Sequence, residues 1–69
     1  MVKMSENSRR FIAKYLPEVL NADYPNDILA PLNGLIMQKG FDSFEDGYNA
    51  FGYEAQEVYD DIFDSNFDD

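Results

Sequence analysis

Residues 43–64 read SFEDGYNAFGYEAQEVYDDIFD. Within them Phe44, Tyr48, Phe51, Ala55, Val58 and Ile62 recur at alternating spacings of four and three, the seam of an amphipathic helix that packs on its neighbours. Ser43 followed by Asp46 approximates a capping box, so the spacing predicts a long helix that starts at Ser43. Gly47 and Gly52 weaken it, each by roughly 1 kcal/mol relative to alanine. They mark either the close approach of another helix or a break near Gly52.

Two further helices are expected upstream. Phe11, Ile12, Tyr15, Leu16, Val19 and Leu20 form a broad helical stripe with Ser8 as its N-cap. Pro17 has no amide to donate and clashes with the preceding turn, which places a break near Leu16. NADYPND (residues 21–27) supplies turn chemistry. After it Ile28, Leu32, Leu35 and Ile36 share a face, with Pro31 suited to a first helical position and Gly40 to the C-terminal cap. Thr is absent and no stretch alternates as a strand does, leaving a β-containing arrangement as the lesser alternative. The expected fold is all-α: a single domain over residues 1–69, a compact three-helix arrangement with a long, acidic C-terminal helix and loose ends at 1–7 and 65–69.

A chain of 69 residues hides only about 60% of the surface that its unfolded form exposes, so its stability margin is thin. Hydrophobic residues at 45% and aromatics at 16% still provide a core without metal or disulfide, and they argue against wholesale disorder. Cys is absent, which removes disulfides, thiolate metal sites and thiol nucleophiles and fits a reducing compartment. MVKMSENSRR lacks the apolar core of a signal peptide, and no apolar run is long enough to span a bilayer. A cytoplasmic location without membrane contact is expected.

Chemistry of the usual kinds is poorly supplied. His is absent, so Ser-His-Asp and Cys-His arrangements are excluded, together with the commonest metal ligand. GYNAFG has neither the lysine of a phosphate loop nor a strand before it. Against a calcium-binding loop, Asp42, Asp46 and Gly47 fit, but Phe44 and Tyr53 stand where oxygen ligands are needed. Acid–base catalysis by carboxylates needs a cleft that drives their pKa values apart, and acids on an outward helical face offer none. No catalytic residue, metal site or cofactor is expected.

Charge is the dominant feature. The formal net charge is -9, and from Asp42 onward there are ten acids and no Lys or Arg. Direct binding to nucleic acid is unfavourable at that charge, and a partner would be basic. Wound at about 100° per residue, Asp46, Glu57, Asp60, Asp61 and Asp64 form one ridge opposite the apolar seam, with Glu54 at its edge. Carboxylates four residues apart lie about 6 Å apart along the axis, close to the pitch of phosphates on one strand. Like-charge neighbours cost about 0.2–0.5 kcal/mol each, and the helix dipole disfavours acids near the C-terminus.

Two readings of the ridge stand side by side. In one, Arg9, Arg10 and Lys14 on the first helix neutralise part of it, and the remainder only keeps the protein soluble. In the other, Asp46, Glu54, Glu57, Asp60, Asp61 and Asp64 stand in for phosphates and occlude a basic site on a DNA- or RNA-handling protein. Phage anti-restriction and anti-CRISPR inhibitors share this character of charge and size, an analogy and not a family resemblance. Phe67 either anchors such a partner or folds back onto the first helix. A different class of function is a small structural or subunit-interaction protein that pairs through apolar helix faces, with a homodimer as one form.

Overall fold

The computed structural model describes residues 2–43 and 47–67, and the chain is mostly helical. Helix α1 runs over Glu6–Tyr15 and is capped by Ser5, whose side-chain oxygen accepts from the Ser8 amide at 3.2 Å. The cap therefore lies one turn earlier than the Ser8 that the apolar pattern suggests. Either serine could cap, and the choice falls to a long-range contact. Ser8 is buried and its hydroxyl donates to Asp61 of the last helix, so it is committed elsewhere. The break at Leu16 occurs as expected: Leu16 is the C-cap, and Pro17 opens a single 3-10 turn, Pro17–Val19.

Helix α2 spans Asn26–Lys39, five residues longer at its start than the proline rule suggests. Pro31 is not at the first position; it lies inside the helix. An interior proline loses one hydrogen bond and costs about 3 kcal/mol. Ile28 and Leu29, which precede it, are both buried, and their burial offsets that cost at about 1.5–3 kcal/mol per side chain. Gly40 is the C-cap, although in an ordinary right-handed conformation with φ -81°.

The largest departure from expectation comes next. In place of a helix from Ser43 there is a two-stranded antiparallel ribbon, β1 (Phe41–Ser43) with β2 (Gly47–Tyr48), so the fold is not purely all-α. Phe41 pairs with Tyr48 and their rings stack at 4.9 Å, while the register shifts by one between there and the Ser43–Gly47 pair. Gly47 has φ +73°, a left-handed conformation that side chains beyond glycine rarely adopt. Phe44 and Asp46, the expected seam residue and capping acid, lie outside the described residues.

Helix α3, Ala50–Phe67, starts seven residues later than the capping-box reading. Its start is held by Asn49, whose Oδ1 accepts from the Gly52 amide at 2.7 Å. The Asn49 amide donates to the Gly40 carbonyl at 2.8 Å, and Nδ2 donates to the Lys39 carbonyl at 2.8 Å. One residue thus joins the end of α2 to the start of α3. Directly beside it the backbones of Gly40 and Gly52 touch: a Cβ on Gly52 would run into the Gly40 carbonyl, and a Cβ on Gly40 would lie 3.2 Å from the Gly52 Cα. Of the two roles open to Gly52, close approach is the one realised.

The core lies where the three α-helices meet, with Ile12, Ile28, Leu32 and Ile62 below 2% exposure. Phe11, Tyr15 and Phe51 close the α1–α3 joint with ring centroids 4.7 to 5.6 Å apart. The stretch before α1, expected to be a loose end, runs along α3. Val2 is buried, and Asn66 accepts from the Lys3 amide (3.0 Å) while donating to the Lys3 carbonyl (2.8 Å). α3 itself continues to Phe67.

The glycines predict opposite responses to the same change. Gly52→Ala forces the helices apart and should lower unfolding stability by about 2–3 kcal/mol. Gly34, exposed inside α2 with nothing within 4 Å of the place an alanine methyl would take, should gain about 0.5–1 kcal/mol on conversion to alanine. Urea titration of both variants measures the difference.

Candidate partner-binding surface

The candidate surface is the outer side of α3. Ala55, Val58 and Ile62 turn inward; Asp60 and Asp64 are carried to the opposite side, Glu54 and Glu57 to the flank that faces α1, and all four are exposed. None of the four forms an ion pair among the described residues. The last turn of α3 holds no basic residue, so the dipole of this end is uncompensated. Asp60 accepts a hydrogen bond from Gln56 Nε2 at 3.0 Å, an arrangement that leaves its charge in place.

Asp61 does not belong to this ridge. Its Oδ2 accepts from the Ser8 hydroxyl at 2.6 Å and from the Ser5 amide at 2.9 Å, so it is turned toward the N-terminus of α1. The Ser8 hydroxyl first, then the Ser5 amide, hold its carboxyl below the usual carboxylate value, against a smaller opposing effect of burial. The favourable dipole at a helix N-terminus acts in the same direction. One acid of the expected ridge is thus a structural cap. Asp46, another, lies outside the described residues.

The cations of α1 do not clasp the ridge. Arg10 pairs with Glu6 of its own helix at 3.3 Å, and Lys14 Nζ lies 5.1 Å from the centre of the Tyr15 ring. A groove of about 490 Å³ separates α1 from α3 here, with Arg10 and Lys14 on one wall, Glu54 and Glu57 on the other, and Phe11 and Val58 among its lining residues. The sequence led us to expect no cleft. Its carboxylate nearest α1, Asp61, is already occupied by the two serines, and no buried side-chain polar atom among the described residues lacks a partner. Nor do the described residues bring three or more Asp or Glu side chains into a metal-binding group.

Phe67 does not fold back onto α1. It is 46% exposed and packs on Phe63, itself 47% exposed, with ring centroids 5.0 Å apart. Tyr59 continues the row at 6.4 Å from Phe63 and rests against the core. The Tyr59–Phe63–Phe67 spacing of four was present in the sequence as the signal for this ladder. Comparison with family models, curated proteins and solved structures finds no match for the chain.

The cap gives a pH dependence of definite sign. A carboxyl whose folded pKa is depressed contributes stability that is present above its unfolded value, near 4, and lost as pH falls through the lower folded value. Asp61→Asn should lower stability at neutral pH by about 1 kcal/mol and flatten the acid limb of the stability curve below about pH 4. Thermal unfolding between neutral and acid pH, wild type beside variant, tests both.

Proposed function

We propose that the protein is a non-enzymatic acidic binding protein that occupies a basic, nucleic-acid-binding site on another protein and so inhibits it. The observation that carries this reading is the row Glu54, Glu57, Asp60 and Asp64 on α3: exposed, at helical spacing and paired to no cation among the described residues. Along the axis the steps are about 4.5, 4.5 and 6 Å, and the last, Asp60 to Asp64, approximates the pitch of phosphates on one strand. Leaving them unpaired costs stability in a domain whose total is about 3–5 kcal/mol, and a purely solubilising surface would intersperse both signs. Opposite potentials would speed the encounter, and release of the partner's counter-ions would add affinity.

Pairing of two copies through exposed rings is the competing reading, favoured only by the exposure of Phe63 and Phe67. It must bring together two chains each of formal charge -9. The inhibitor reading places the protein in the cytoplasm, beside the nucleic-acid-handling proteins it would block, and gives it a phage-like character.

The test converts Glu54 and Glu57 to Gln and Asp60 and Asp64 to Asn in one variant. Its folded state should gain about 1 kcal/mol as like charges disappear, while capture of a nucleic-acid-handling protein from a host lysate at low salt should be lost. Wild-type capture should also weaken steeply as salt is raised from about 50 to about 300 mM, over which the screening length shrinks to several ångströms. Equal capture by the amide variant would overturn the reading.

A further inference from the structure

The ridge is accompanied by rings. On α3 each aromatic of the ladder is followed in sequence by an aspartate: Tyr59-Asp60, Phe63-Asp64 and Phe67-Asp68, of which the last acid lies outside the described residues. Tyr59 and Phe63 are nearly parallel, 10° between planes, and Phe67 follows at 39°. Asp60 and Asp64 run beside them, one turn apart. At Tyr59-Asp60 and Phe63-Asp64 the helix thus shows a partner a ring and a carboxylate, offset by about 100° around the axis.

A duplex offers its partner phosphates and hides the faces of its bases in the stack. A protein that imitated only a duplex would have no use for Phe63 and Phe67 left half in water beside the acids. A single strand offers both, and grooves that hold it combine cations along the backbone path with aromatic side chains on which bases stack. Resting on the inhibitor reading above, we infer that this face imitates a single strand, and that its partner is a protein whose groove holds unpaired nucleic acid through basic and aromatic side chains. Asp60 and Asp64 take the phosphate positions, and Phe63 and Phe67 take the base positions. Tyr59, seated on the core, sets the tilt of the row. A second copy of the chain is the wrong occupant, because it brings Asp60 and Asp64 against their own kind.

The test captures proteins from a host lysate on the immobilised full chain and elutes with a 20-nucleotide oligothymidylate or, separately, a 20-base-pair duplex. The inference expects a captured protein that the single strand displaces and the duplex, at equal phosphate, does not. Capture should fall about tenfold per ring in Phe63→Ala and Phe67→Ala, and also in Phe63→Leu/Phe67→Leu, which keeps apolar bulk but removes the stacking face. Circular dichroism and thermal unfolding confirm that the variants remain folded; Phe67→Leu alone, at the helix end, serves if the double variant does not. Displacement by duplex and single strand alike, or full capture by the leucine variant, would overturn the single-strand inference while leaving the acidic ridge in place. Undiminished capture by the amide variant would instead remove the inhibitor reading itself.

Discussion

The structure depends on the contact between the backbones of Gly40 and Gly52. It brings the end of α2 against the first turn of α3 at a distance no side chain would permit, and Asn49 bonds the two segments together at that point. With the start of α3 held there, the rotational phase of every later residue follows at about 100° per step. Ala55, Val58 and Ile62 are carried into the core, and Glu54, Glu57, Asp60 and Asp64 are carried out of it. The acidic surface is therefore a consequence of where one helix begins.

The same helix distributes its acids between two tasks. Asp61 lies on the flank nearest α1 and serves the fold, satisfying an amide and a hydroxyl at the N-terminus of that helix. Its neighbours Asp60 and Asp64 lie further round and serve no internal partner among the cations of the described residues. Lys3 is drawn alongside α3 through its backbone by Asn66, leaving its ammonium out of any ion pair among the described residues. The N-terminal stretch is thus held by the buried Val2, polar caps and amide clamps, contacts that leave the charge of the ridge uncancelled.

Much of the helical content was legible in the sequence because it follows from spacing. The break at Leu16, the buried positions Phe11, Ile12, Ile28, Leu32, Ile36, Ala55, Val58 and Ile62, and the C-cap at Gly40 all follow from local pattern and proline chemistry. The errors share one cause. Ser5 displaced Ser8 as a cap, Pro31 was absorbed into α2, and the Ser43 start gave way to a ribbon and Asn49, each because a contact distant in sequence outweighed a local preference of about 1–3 kcal/mol. Of the candidate site, the exposed row of Glu54, Glu57, Asp60 and Asp64 was readable from the helical wheel, whereas the diversion of Asp61 was not.

What the sequence by itself determined is a strongly acidic, three-helix chain whose last helix carries carboxylates on one side and apolar residues on the other, since periodicity and charge are properties of neighbours along the chain. What only the tertiary structure decided is which acid becomes a cap, where α3 starts and whether Phe67 folds back or stands beside Phe63 in water. Those outcomes depend on backbone approach and hydrogen bonds between residues as much as 63 positions apart, and no local spacing encodes them.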